Sequence, residues 1–338
     1  VSGRRGVLLR ALIGITVSVV AMVLALRAVD LAAAADVIRT AIPAWVAAMI
    51  GFSILDVSIR GWRWQRLVMP VRHVAYPRML GYELIGYLAN NVLPARLGEL
   101  VRSHYLGDRE GLGMTTALGT VVVERVIDTT TVVLIAAVSI LVLSVKGVLV
   151  NAVLVGLAVA GLLVLGLAVL LVAHRLPGAD RVIRVADRWP TIRTLAKRLR
   201  DGLAVASRPR TLAEALSLTI AAWTMSVLAF AAAGQAIDVQ LSIGQAALMS
   251  ASVALATAIP SGPGYLGTFE LAAVTVGKTV GLPPDSAFAL ALLVHAGILG
   301  VTTVGGAIAY LRIGWLPSAT RLPDPEPAVS AEIPAAEG

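Results

Sequence analysis

Six charged residues fall in stretches otherwise apolar enough to enter a bilayer: Arg96, Glu99 and Arg102 in one, Glu124, Arg125 and Asp128 in the next. The first three follow Pro94 and recur at three-residue steps, which on a helix puts them on one side. The second three sit in VVVERVIDTTTVV, where 3.6 residues per turn gathers them into an arc of about 100°. Three cations thus balance three carboxylates. Charge at depth is costly, so such groups face a cavity or one another. One reading is a buried ion-pair network that locks a hairpin onto the next helix. The other is an anion site: guanidinium forks suit phosphate, and an anionic headgroup competes for the arginines once a carboxylate yields its partner or takes up a proton.

A second polar break has a different character. In IPSGPGYLGTFE, Ile259 to Glu270, residues Ser261, Gly262, Gly264 and Gly267 are expected to expose backbone amides. A helix starting near Thr268 and Glu270 adds a partial positive dipole, so the segment suits phosphate without a basic side chain. The alternative is close helix packing. Both breaks share a pattern: Pro94 and Pro263 are each followed at the same spacing by Leu-Gly and then by a glutamate. Pro94, Gly98, Pro260, Gly262 and Pro263 interrupt helices, and Asn90 and Asn91 are expected to satisfy the broken backbone. Trp62, Trp64 and Trp223 are assigned to interfaces or packing. His73, His104, His174 and His295 are scattered without ligand spacing, cysteine is absent, and no Walker A pattern occurs. No metal, no other cofactor and no ATP are expected.

Membrane helices must position these residues. The chain of 338 residues is 58% hydrophobic and 14% charged, with mean hydropathy +0.85, whereas soluble domains are about one-quarter charged. The expected class is an all-α polytopic integral membrane protein. The run Ala11 to Leu26 follows Arg4, Arg5 and Arg10 and is expected to be a retained signal anchor, because a signal-peptide core is only about 7–15 residues. A second span covers Ile42 to Ile59. After it, Arg60, Arg63, Arg66, Arg72 and Arg78 define a cytoplasmic loop by the positive-inside rule. A second basic connection, 174–211, carries ten basic against three acidic residues and is also placed in the cytoplasm. Within it Ile192, Leu195, Leu199 and Leu203 mark an amphipathic helix at an anionic leaflet.

Parity between these markers yields about six full spans. Crossings at Thr120 to Val145 and Val148 to Ala173 leave Met79 to Leu106 with no net crossing. Crossings at Leu212 to Ile237 and Ser286 to Leu311 do the same for Ile243 to Val280. Each remainder is a re-entrant broken-helix hairpin, one from each side, or two tilted full spans, giving eight or more. Span, hairpin, span occurs twice with opposite orientation, the plan of an inverted repeat. The membrane body covers 1–312. The tail, 313–338, is Pro/Ala-rich, acidic and expected to be disordered. Both termini are expected in the cytoplasm.

NNVLPARLGELVR, VVVERVIDTTTVV and IPSGPGYLGTFE together resemble the transmembrane flippase region shared by lysylphosphatidylglycerol synthases and their stand-alone relatives. By motif, the resemblance assigns Pro94, Arg96, Gly98, Glu99 and Arg102 to a first signature, Glu124, Arg125 and Asp128 to a second, and Pro260, Gly264, Gly267 and Glu270 to a third. It implies movement of polar or sugar-bearing lipids between leaflets of the cell membrane. A soluble aminoacyl-transferase domain has no counterpart in this sequence. The leading expectation is a flippase for a polar or sugar-bearing anionic phospholipid. Its headgroup contacts Arg96, Glu99, Arg102, Glu124, Arg125, Asp128, Gly264, Gly267 and Glu270. The runner-up is an integral-membrane glycosyltransferase or polyprenyl-phosphate enzyme with Glu99, Glu124 or Asp128 as general base. A third reading is a scaffold whose basic loop recruits a lipid-synthesis enzyme. Partners are membrane lipids, and no nucleic acid is expected.

Overall fold

The computed structural model describes residues 2–93, 97–172, 201–259 and 261–314, and within them the chain is helical apart from turns. The helices are α1 (Ser2–Leu26), α2 (Leu31–Arg39), α3 (Pro43–Val68), α4 (Tyr76–Val92), α5 (Gly98–Arg109), α6 (Met114–Val142), α7 (Val148–Val172), α8 (Pro209–Ala236), α9 (Ile243–Ala256), α10 (Thr268–Thr279) and α11 (Pro284–Gly314). Five of them, α3, α6, α7, α8 and α11, are long and apolar enough to cross a membrane. The sixth expected span is α1, which meets α2 at a bend of 85°. Asp30 makes that bend: its side chain caps α2 by accepting from Ala32 and Ala33 N–H, and its own N–H donates to Asp285 Oδ1 at 2.7 Å. The chain is a polytopic, all-helical membrane protein.

One boundary departs from the expected plan. The second span does not end at Ile59 but continues as helix to Val68, so Arg60, Arg63 and Arg66 are helical rather than loop residues. Arg60 and Arg63 are buried at 8% and 0% exposure. Ion pairing to neighbouring helices makes the longer helix stable where hydropathy alone stops it.

Two sets of helices share one arrangement. In the first, α3 precedes a hairpin of α4 and α5 and then α6; in the second, α8 precedes a hairpin of α9 and α10 and then α11. Within each set the first helix packs on the hairpin, the hairpin arms on each other, and the second arm on the last helix. Between sets α4 packs on α11 and α9 on α6, so each hairpin lies against the last helix of the other set. The pairing of α3 with α8 is the most extensive in the molecule. It is antiparallel: Ile42 N–H donates to Ala236 O, Arg63 bonds Thr219, and Arg66 pairs with Glu214. The two sets are therefore inverted relative to each other, in agreement with the repeat expected from the sequence.

Three hairpin arms, at 12, 14 and 12 residues, are shorter than the roughly 17–25 of a spanning helix, and α4, at 17, stands at the lower limit of that range. α4 runs antiparallel to α11, from Gly81 beside Ile313 to Asn91, which donates to Thr302 and Thr303 hydroxyls at 2.9 Å. The second hairpin approaches the same stretch of α11 from the opposite end, where Gly277 lies beside Ala287 and the Gly264 carbonyl bonds His295. The two breaks thus meet beside the middle of α11. Glycine permits each turn. Gly98 lies on the Gly86 carbonyl and the Asn90 side chain, leaving no room for a Cβ. In the second break Gly264 and Gly267 have φ of 65° and 87° and Tyr265 φ of 59°, all left-handed.

α1 closes the second break from outside. Ser18 Oγ accepts from Gly262 N–H at 2.8 Å, and Gly267 packs on the Ser18 carbonyl. A run expected as an anchor is thus part of the packed body. The ends of the bundle differ in charge. At the end holding the α2 bend, Arg27, Arg39, Lys146 and Lys278 balance Asp30, Asp36, Asp238 and Asp285. At the other, Arg66, Arg72, Arg78, Arg109, Arg208, Arg210 and Arg312 exceed Asp108, Glu110, Asp201 and Glu214.

Candidate functional site

Four arginines and four carboxylates interlock between α3, α4, α5 and α6. On α3, Arg60 Nε donates to Asp56 Oδ1 at 2.8 Å and its Nη1 to Asp128 Oδ2 at 3.2 Å. One turn on, Arg63 Nη2 donates to Glu124 Oε1 at 2.8 Å and Nη1 to Asp128 Oδ1 at 3.0 Å. From α5, Arg102 donates to Glu124 Oε2 at 3.0 Å and pairs with Glu83 of α4. Arg125 donates to Glu124 at 3.0 Å and lies 3.7 Å from Asp128. Tryptophans frame the network: Trp223 Nε1 donates to Asp128 while Arg60 lies over its ring, and Arg102 lies over Trp64. A carboxylate with two or three guanidinium partners stays paired at depth, where a lone charge is unstable.

Beside the network lies a cavity of about 510 Å³ between the two hairpins. Asp56, Arg60, Glu83, Glu99, Arg102, Arg125 and Asp128 border it on one side. The opposite side, from the second set, is apolar with hydroxyls: Phe230, Val253, Phe269, Ile298 and Leu299, with Ser226 and Ser250 bonded to each other at 2.9 Å. Arg125 has the most accessible side chain of the four network arginines, at 36%. Its Nη groups are paired, yet its buried Nε has no hydrogen-bond partner. The arrangement can hold an anionic or zwitterionic group against one wall and apolar substituents against the other.

The six residues of the ionic pattern divide as follows. Glu99, Arg102, Arg125 and Asp128 border the cavity, whereas Glu124 is fully buried behind it. Arg96, with Pro94 and Pro260, lies outside the described residues, as do Ile192, Leu195 and Leu199 of the expected amphipathic helix and residues 315–338 of the acidic tail, whose first two residues, 313 and 314, end α11. Asn90 bonds across the break, its Oδ1 accepting from Gly98 N–H at 2.8 Å. Asn91 instead ties α4 to α11. Trp64 and Trp223 sit in the network rather than at an interface, while Trp62 is exposed.

The second break departs further from expectation. Two amides expected to be free for phosphate already have protein acceptors: Gly262 N–H donates to Ser18 and Gly267 N–H to Glu270 Oε2 at 2.6 Å. A tight left-handed turn aims them inward, onto α1 and the first turn of α10. Gly264, Gly267 and Glu270 do not border the cavity. Glu270 is fully buried, its second oxygen 2.6 Å from His295 Nδ1. Close packing, the alternative reading of this break, describes these contacts.

Sequence reasoning missed Asp56, Arg60, Arg63, Glu83 and His295. The positive-inside rule places Arg60 and Arg63 in a loop, although Asp56 and Arg60 stand four apart, the spacing of a helical ion pair. His295 carries no local motif, because its partner Glu270 is 25 residues away. Among the described residues, no cluster of three His, Asp or Glu side chains suits a metal ion.

Comparison with known families adds one match. No curated protein and no solved structure matches the chain. The family described as lysylphosphatidylglycerol synthase TM region matches residues 11–306, a stretch holding both hairpins, the ionic network and the cavity they enclose. The chain belongs to the lysylphosphatidylglycerol synthase TM region family.

Proposed function

We propose that the protein moves a polar or sugar-bearing anionic phospholipid between the leaflets of the cell membrane. The observation that carries this reading is the cavity between two inverted hairpins, charged on one wall and apolar on the other. A phosphate crosses hydrocarbon only at high cost, whereas acyl or prenyl chains need no guide. The headgroup therefore travels through the cavity and the tails remain in the bilayer. Arg125, the most exposed of the four network arginines, meets the headgroup first, and Arg60 and Arg102 follow as their carboxylate pairs loosen. The hairpins enter the membrane from opposite sides and turn near its midplane, as in transporters built from inverted repeats. The arginine-rich end faces the cytoplasm, which puts the start of α1 and the end of α11 there.

An enzymatic role for Glu124 or Asp128 has less support, since each already accepts from at least two arginines. The reading is tested by reconstitution into liposomes carrying, in separate preparations, phosphatidylglycerol, its lysyl ester and a polyprenyl-phosphate sugar, with a leaflet-specific chemical assay. At least one lipid is expected to equilibrate faster than in empty vesicles. Arg125→Gln is expected to slow it by about tenfold, the worth of one charge-assisted contact. No acceleration for any of the three sinks the proposal.

A further inference from the structure

His295 stands midway along α11 with both ring nitrogens engaged. Nε2 lies 2.7 Å from the Gly264 carbonyl oxygen and Nδ1 2.6 Å from Glu270 Oε1. A carbonyl only accepts, so Nε2 carries a hydrogen. The contact between Nδ1 and Oε1 also requires a hydrogen, whichever atom holds it, because two bare lone pairs repel at that distance. The pair therefore holds one fixed proton and one shared proton, and with both it is neutral overall.

Those bonds hold the second break together. Through Nε2 the histidine grips Gly264, at the left-handed turn; through Glu270, whose other oxygen accepts from Gly267 N–H, it grips the start of α10. Phe269 stacks on the imidazole with centroids 4.1 Å apart and fixes its plane. The pair is sealed, with His295 at 3% and Glu270 at 0% exposure, yet His295 borders the cavity.

We propose that His295 and Glu270 form a proton-binding site that latches the second break to α11, and that release of the shared proton unlatches it. The proton leaves Nδ1–Oε1 for water in the cavity, leaving neutral imidazole, a carboxylate and one negative charge. The bare Nδ1 then faces an anionic oxygen and the contact opens. Only the further step, coupling of lipid movement to a proton gradient, rests on the function proposed above.

Among the described residues, no arginine or lysine pairs with Glu270 to answer the new charge. α9 has no titratable side chain, and α1 has none between Gly14 and Leu26. On α10 the other charge is Lys278, two turns away, and on α11 Asp285, Tyr310 and Arg312 lie toward the ends. α8 presents Trp223, Ser226 and Phe230 to the cavity, and the break presents Tyr265. Across the cavity stand Asp56 and Arg60 of α3, Glu83 and Tyr87 of α4, Glu99 and Arg102 of α5, and Arg125 and Asp128 of α6. The charge therefore favours opening toward that wall.

Glu270→Gln tests the latch in a folded protein. Its amide donates to Nδ1 and its carbonyl accepts from Gly267, so every bond persists without a dissociable proton. In a background with His73, His104 and His174 changed to Asn, His295 is the sole histidine and its 15N signals in lipid nanodiscs are unambiguous. With Glu270 intact the ring is expected to change its protonation in one step across a pH series, and with Gln to keep the Nε2–H form throughout. Hydrogen exchange at Tyr265–Gly267, compared at equal pH, is expected about tenfold faster with Glu270 above that step and equal below it, the worth of one hydrogen bond. In proteoliposomes a pH gradient is expected to alter lipid movement severalfold with Glu270 and not with Gln. Unchanging ring protonation, or equal protection of the break in both proteins at every pH, overturns the site. Proteoliposomes in which no lipid moves under any gradient overturn the transport reading, while ring titration and exchange still decide the latch.

Discussion

Glu124 shows how much of this molecule depends on single side chains. It is fully buried and accepts from Arg63, Arg102 and Arg125, three cations on three helices. Breaking a buried pair costs more than the pair contributes, since an uncompensated charge remains. Glu124→Ala is expected to destabilise by about 3–5 kcal/mol, lowering Tm in detergent by about 10 °C. Glu124→Gln keeps the shape and part of the bonding and is expected to cost less. Both are checked by thermal unfolding of purified protein; equal Tm for wild type and Glu124→Ala contradicts a structural role for this carboxylate. Glu124 and Asp128 were legible in the sequence because they share one helix face within a single apolar run. Arg60 and Arg63 were not, because a rule that counts arginines near span ends does not register which of them turn inward to meet a carboxylate 60 or more residues away.

At the scale of elements, the breaks decide the architecture, and their positions could be read directly. Proline and glycine at 94–98 and 260–267 mark interruptions, and the arms found on either side end within a few residues of them. What each break does could not be read, because it depends on what lies opposite. The first opens beside the ionic network, while the second meets α1 and His295. Gly98 gives a test at this scale. A methyl group there overlaps the Gly86 carbonyl and the Asn90 side chain and pushes the two arms apart, whereas Gly51 on α3 has nothing within 4 Å of the same added atom. Gly98→Ala is expected to cost about 1–3 kcal/mol or more, and Gly51→Ala to be neutral or slightly stabilising through helix propensity. Folded yield and Tm of the two variants, measured side by side, check the difference.

The whole molecule is two inverted sets exchanging hairpins, and its lack of cysteine makes that plan easy to probe. Single cysteines at Arg72, Asp108 and Arg312 are expected to react with an impermeant maleimide from one side of the membrane, and those at Lys146, Asp238 and Gly281 from the other. Reaction of Arg72→Cys and Asp238→Cys from the same side contradicts the inverted arrangement. The exchange of hairpins also orders events during synthesis. Asn91 finds its hydroxyl partners on α11 only 211 residues later, which at about 5–20 residues per second is roughly 10–40 s of translation. Until then the face of the first hairpin that carries Gly81 and Asn91 has no helix to pack on, so its stable insertion awaits α11. A chain stopped before Pro284 is expected to be degraded in cells, and co-expression of the missing helix as a separate peptide to restore its abundance, followed by immunoblot. Docking of α11, rather than local helix formation, is the event at which this protein is expected to become resistant to quality control.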